Sequence, residues 1–276
     1  MPDEEEAPLL RVLSIGAHPD DCEFQTGGIA ARYRALGHRV RFVSATNGNA
    51  GHHEKGGAPL AAIRVEEAQQ AAAVAGVESL VLDNDDGQLV ADLAARETII
   101  RLIRDYQPDI IFTHRPNDYH PDHRATGLLV QDASYLVRVP NICPLTPPLR
   151  YSPIIAYMHD GFQKPAPFVP SVVVAIDDVQ DTKTRMIACH RSQVFEWLPW
   201  TVDQLDQVPA GESERFAWLA ERQQRRDRAV ADRFRDQLIA RYGPETGRAV
   251  RFAEAFEISE YGRGVPDADR ATYFPL

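Results

Sequence analysis

RVLSIGA, residues 11–17, runs directly into His18-Pro19-Asp20-Asp21-Cys22-Glu23. A short apolar run ending in a polar, turn-prone cluster predicts a buried strand with reactive groups at its carboxyl end. Working outward, Ile29–Leu36 reads as a helix closed by Gly37 at its C-terminal cap. Arg39–Ala45 reads as a second strand, Leu60–Ala75 as an alanine-rich helix ending at Gly76, and Ser79–Leu82 as a third strand. Leu93–Tyr106 places Ile99, Ile100, Leu102 and Ile103 at helical spacing, and Asp109–Thr113 follows Pro108 as a fourth strand. Strand and helix alternate four times. That order predicts a parallel sheet with right-handed crossovers and helices on both faces.

Further along, the proline-rich stretch 140–153 reads as a surface loop, and Ile154–Met158 and Ser171–Ile176 as two more strands. The final third reads as helical, over Asp178–Gln193 and roughly Glu212–Tyr242, with the arginine-heavy run ERQQRRDRAV as a solvated helix face. The expected architecture is α/β: a mostly parallel twisted sheet with helices on both faces and a helical C-terminal extension. No repeat or linker divides the chain. One domain is therefore expected over residues 1–276, with a core over about 11–195 and helical decoration over about 196–276.

Composition bounds the function. The 276 residues carry 30 Lys+Arg against 40 Asp+Glu, a net charge of −10, which disfavours a nucleic-acid partner. Cys22, Cys143 and Cys189 are too few and too widely spaced for a disulfide framework or a CxxC zinc site. The acidic N-terminus is unlike a signal peptide, and no apolar run approaches the ~18 residues needed to span a bilayer. A cytoplasmic protein without a membrane partner is expected, and whether copies form a homo-oligomer is left open.

Chemistry concentrates in two clusters. The first is Gly16–Glu23, after the first strand. The second is Pro116-Asn117-Asp118-Tyr119-His120-Pro121-Asp122-His123, after the fourth. In open α/β sheets ligands bind beyond the carboxyl ends of the strands, where the strand order reverses. A 3-2-1-4 order makes the first and fourth strands neighbours and brings the clusters into one pocket. Histidine and carboxylate donors without thiolates suit a catalytic zinc with one open position. Of the adjacent Asp20 and Asp21, one can bind metal while the other acts as a base. His120 and His123 stand one turn apart if Pro121 opens a helix, so one can be a ligand and the other a supporting histidine.

These residues carry a resemblance. Ala17-His18-Pro19-Asp20-Asp21, then Gly27-Gly28, and the distal His120-Pro121-Asp122-His123 resemble the PIG-L/LmbE-like zinc-dependent N-deacetylases. Arg64-Val65-Glu66-Glu67, His190-Arg191-Ser192-Gln193 and Ala253-Glu254-Ala255-Phe256-Glu257 are also similar to that family. The resemblance spans about residues 11–262 and implies a Rossmann-like sheet, one divalent metal and hydrolysis of an acetamido group on an N-acetylglucosamine-type conjugate. It implies His18, Asp21 and His123 as metal ligands, Asp20 as general base, and His120 as the group that stabilises the oxyanion or protonates the leaving amine. It also implies Arg64 as a substrate or site-ordering contact. Arg64, His190 and Asn47 are taken as the substrate-binding set. The cofactor is expected to be one Zn2+ per chain, with another divalent metal such as Fe2+ as the variant. The partner is expected to be a small N-acyl sugar.

Two rivals remain. His18-Pro19-Asp20 with a distal histidine is also the H-x-D…H pattern of a two-His-one-carboxylate iron oxygenase, which would use Asp20 as a ligand. A non-catalytic metal- or sugar-binding protein would need neither Asp20 nor His120. The glycine- and histidine-rich segment Asn47–Pro59 follows the second strand and is expected to rim the pocket.

Overall fold

The computed structural model describes residues 9–274. A seven-stranded sheet runs in the order β3-β2-β1-β4-β5-β7-β6. Its strands are β1 (Arg11–Gly16), β2 (Arg39–Ser44), β3 (Glu78–Val81), β4 (Ile110–Thr113), β5 (Ile154–Met158), β6 (Val172–Ala175) and β7 (Ala253–Ile258). The first five pair in parallel, and β7 pairs antiparallel with both β5 and β6. Successive β1 residues face opposite layers. Val12 joins Ile29, Phe112 and Phe256 on one side, while Leu13 and Ile15 join Ile99, Ile100 and Ile103 on the other. Helices therefore cover both faces.

The helices are α1 (Asp21–Ala35), α2 (Gly57–Ala75), α3 (Leu93–Tyr106), α4 (Pro121–Leu136), α5 (Gln180–Cys189), α6 (Leu198–Thr201), α7 (Glu212–Arg233), α8 (Arg235–Tyr242), α9 (Pro244–Ala249) and α10 (Arg270–Tyr273). A π-helical turn, Gln193–Trp197, precedes α6. The 3-2-1-4 order and the helix opened by Pro121 match expectation.

Three details differ from the sequence reading. First, α1 starts at Asp21 and not at Ile29. Its Gly27 and Gly28 are sites of close packing: a Cβ at Gly28 would lie 2.6 Å from Cγ2 of Ile176. Second, the expected helix 212–242 breaks at Phe234 into α7 and α8. Third, the C-terminal part contributes β7 to the middle of the sheet half beyond β5. Glu254 on β7 accepts from the backbone N–H groups of Gly28 and Ile29, each at 2.8 Å. Among the described residues, no helix is long and apolar enough to cross a membrane.

Candidate active site

The two polar clusters meet beyond the carboxyl ends of β1 and β4, adjacent parallel strands at the reversal of strand order. Local backbone geometry aims the side chains. Asp20 has φ 134°, a conformation side chains rarely adopt, and such strain persists where the surroundings over-determine it. The turn separates neighbouring carboxylates. Asp21 folds back over Gly16, where a Cβ would stand 2.6 Å from its own Cβ. Its Oδ2 accepts from the N–H groups of Ala17 (2.9 Å) and His18 (2.7 Å). Asp20 instead lies with Oδ2 3.3 Å from Nη2 of Arg64, a buried guanidinium that also donates to the carbonyl of Pro19.

Three donors converge. His18 Nδ1 is 3.5 Å from Asp21 Oδ2 and 3.3 Å from His123 Nε2, and His123 Nε2 is 3.5 Å from Asp21 Oδ1. Two atoms each about 2.1 Å from a tetrahedral metal lie about 3.4 Å apart, so each of these separations is of the size a zinc-like ion requires, with Asp21 facing His18 through Oδ2 and His123 through Oδ1. Donor atoms within 4.8 Å of one another also group as His18, His120 and His123, as Asp21, His114 and His123, and as His18, Asp86, His120 and Asp122. The far nitrogens are held by carboxylates, the usual arrangement behind metal-binding histidines. His18 Nε2 lies 3.2 Å from Asp86 Oδ1 and 3.3 Å from Asp122 Oδ2, and His123 Nδ1 lies 3.0 Å from Asp118 Oδ1. Asp122 is itself fixed by the N–H groups of Gly87 and Leu89. His114 stacks on His123 with ring centroids 4.0 Å apart, and its Nε2 is 3.2 Å from Asp21 Oδ2. The donor set fits a divalent cation.

Electrostatics agree. Burial would lower the His18 pKa, but Asp122, Asp21 and Asp86 hold it well above the ordinary value. Burial opposes ionisation of Asp21, yet His123 and His114 keep it well below the carboxylate range. A field that favours positive charge on imidazoles favours a cation between them. Burial pushes Asp20 up to about 6, with Arg64 pulling the other way and Asp21 adding to the rise.

His120 caps α4. Its Nδ1 accepts the N–H of Asp122 at 3.2 Å, so the neutral ring carries its proton on Nε2. Burial, with His18 and His123 nearby, lowers its pKa. The ring stands edge-on to His18 at 4.5 Å between centroids. A cavity of about 1030 Å³ opens over His18, Asp20, Asp21, His120 and His123 and extends toward α7.

Arg64 borders this cavity, but two other expected substrate contacts do not. His190 is fully buried, with Nε2 3.3 Å from Glu23 Oε1. Asn47 is buried too, donating to Asp83 and accepting from the N–H of Asn49. Both occupy structural positions behind the wall. The loop after β2 does rim the cavity, through Ala50 and Gly51. It is fastened to the π-turn: His52 Nε2 lies 2.8 Å from Glu196 Oε2, and Gln193 donates to the Gly51 carbonyl. The sequence reading missed Asp86, His114, Asp118 and Asp122. The signal available was position, because His114 directly follows β4 and Asp118 and Asp122 lie inside the second cluster.

The family profile of PIG-L, described as GlcNAc-PI de-N-acetylase, matches residues 13–134, a span holding both clusters. Diacetylchitobiose deacetylase of Thermococcus kodakarensis is 31% identical over 206 residues, covering 70% of this chain and 74% of that protein. The chain belongs to the PIG-L family. Among solved structures, N,N'-diacetylchitobiose deacetylase of Pyrococcus horikoshii superposes with TM-score 0.68 at 26% identity, covering 91% of this chain and 84% of that one. The 4-carboxy-2-hydroxymuconate hydratase GalB of Pseudomonas putida superposes with TM-score 0.71 at 21% identity, covering 93% and 98%. That second likeness shows the fold alone. A fold shared with a hydratase leaves function to be argued from the site.

Proposed function

We propose that this PIG-L protein is a divalent-metal-dependent N-deacetylase acting in the cytoplasm on N-acetylglucosamine-type sugar conjugates. The observation that carries the reading is the division of labour between adjacent aspartates: Asp21 joins His18 and His123 in the donor triangle, while Asp20 stands apart, ion-paired to Arg64. The diacetylchitobiose deacetylase relationship supports an acetamido substrate. The donor set favours zinc, with Fe2+ as the variant. The described residues 9–274 form one domain in this reading, supported by the placement of β7 between β5 and β6; residues 1–8 and 275–276 of the expected domain lie outside the described residues.

When bound, the cation supplies Lewis acidity and makes water a nucleophile near neutral pH. The chain's residues do the rest. Asp20 takes the proton of the attacking water, and Arg64 holds that carboxylate in place. His120, with its Nδ1 occupied by backbone, offers Nε2–H to the oxygen that gains charge as the amide carbonyl is attacked. The proton collected by Asp20 is then available to the departing amine, giving acetate and a free amino sugar. The iron-oxygenase arrangement is not favoured, because it needs Asp20 among the metal donors and Asp20 is engaged by Arg64.

The test is a paired assay of metal content and acetate release on one preparation. His18→Ala, Asp21→Ala and His123→Ala are expected to lose both together. Wild-type metal content in all three variants would refute the triad. Metal loss in Asp20→Ala with retention in Asp21→Ala would restore the H-x-D…H arrangement.

A further inference from the structure

The cavity does not end at the metal donors. Its far wall is α7, which contributes Arg226, Ala229, Val230 and Arg233. Arg226 and Arg233 are seven residues apart, two helical turns, so they project from one face with Ala229 as a low floor between them. The guanidinium of Arg226 lies 5.1 Å over the ring of Phe24, another cavity residue. Arg233 donates from Nη1 to His159 Nε2 at 3.3 Å. Among the described residues, neither arginine has a carboxylate oxygen within 4.0 Å. Asp160, which also lines the cavity, is taken by Arg115 through both oxygens, at 2.5 and 2.7 Å. Arg225, on the outer side of the same helix, pairs with Glu221 at 2.8 Å. Arg226 and Arg233 are thus the α7 arginines that line the cavity, and among the described residues no carboxylate pairs with either of them there.

The two ends of the cavity differ in sign. Asp20, Asp21, Asp86 and Asp118 crowd the metal-donor end, and the two guanidiniums without a carboxylate partner among the described residues stand on the α7 side. We propose that the substrate carries an anionic group, a carboxylate or a phosphate, on the side remote from its acetamido group, and that Arg226 and Arg233 hold it. This rests on the amide-hydrolysis reading above and adds the class of aglycone. Guanidinium forks match both anions in geometry. The low pKa of His159, at about 4, fits this field: burial contributes most, followed by Arg233 and Arg226.

The test compares phenyl N-acetylglucosaminide, its p-carboxyphenyl analogue and N-acetylglucosamine 1-phosphate on the metal-loaded full chain. Acetate release and calorimetric binding are both measured. Charge-assisted contacts predict that at least one anionic compound exceeds the phenyl glycoside roughly tenfold or more in kcat/KM and in affinity. The preferred anion identifies carboxylate or phosphate as the source. In Arg226→Ala and Arg233→Ala the anionic-to-neutral ratio should fall toward one, mainly through KM, whereas Arg225→Ala should keep it. Equal kcat/KM and affinity for all three compounds, with no effect of the arginine substitutions on the ratio, would overturn the anion subsite while amide hydrolysis stands. Absence of acetate from every compound would instead overturn the hydrolysis reading. In that case the calorimetric ratio still decides the subsite: arginine-dependent tighter binding of an anionic compound supports it, and equal binding refutes it.

Discussion

At the residue scale, the site depends on side chains that must differ in role although adjacent in sequence. Asp20→Asn preserves volume and removes the base, so kcat should fall by about two to four decades with metal content unchanged. Near-normal turnover would mean that another group takes the proton. The carboxylates behind the donors make a separate prediction. Asp118→Asn, which removes the charge beside His123 Nδ1, should weaken metal affinity roughly 10–100-fold, measured by competition with a chelator. Unchanged affinity would make Asp118 a packing residue. His159 gives a pH prediction. Its folded pKa is depressed to about 4, so its contribution to stability is present above the unfolded value of about 6.5 and is lost as pH falls toward 4. Wild type should therefore lose about 2 kcal/mol more than His159→Gln between pH 7 and pH 4, read by chemical denaturation, and parallel curves would contradict this. The two His–Asp clusters were legible in the sequence because each packs several donors into a few residues. Asp86 was not, because it reaches His18 only through the loop after β3, and no local spacing reports that.

At the element scale, the sheet was legible where apolar runs alternate with helices and less so where tertiary contacts override local signals. The start of α1 was placed too late because Gly27-Gly28 reads as a break. In the fold these glycines instead admit Lys183, Ile176 and Glu254. The strand β7 was hidden because Glu254 and Glu257 interrupt its apolar character, and Glu254 is buried only by virtue of partners. Lys183, fully buried, lies 2.8 Å from Glu254 and 3.0 Å from Asp227, which ties α5 to β7 and α7. Removing the cation leaves two buried carboxylates face to face. Lys183→Met should cost about 3–5 kcal/mol, a fall in Tm of roughly 5–15 °C by calorimetry. A change under about 1 kcal/mol would show that the network is solvated and replaceable.

At the scale of the whole molecule, seven strands and two helical layers carry the donors to one point, and α7 closes the cavity opposite them. The sequence reading reached the 3-2-1-4 part of this topology, with β1 beside β4, and not the insertion of β7 between β5 and β6. It took α7 for plain decoration because an arginine-rich run looks solvated until its cavity side is known. The central claim is that Asp21 belongs to the metal and Asp20 to the chemistry. The most direct measurement is metal content and single-turnover acetate release for Asp20→Asn and Asp21→Asn side by side, each purified in the same zinc-containing buffer. The expected result is a full metal complement without turnover in Asp20→Asn, and loss of metal together with turnover in Asp21→Asn. The reverse pattern, with metal lost from Asp20→Asn and kept by Asp21→Asn, would contradict it.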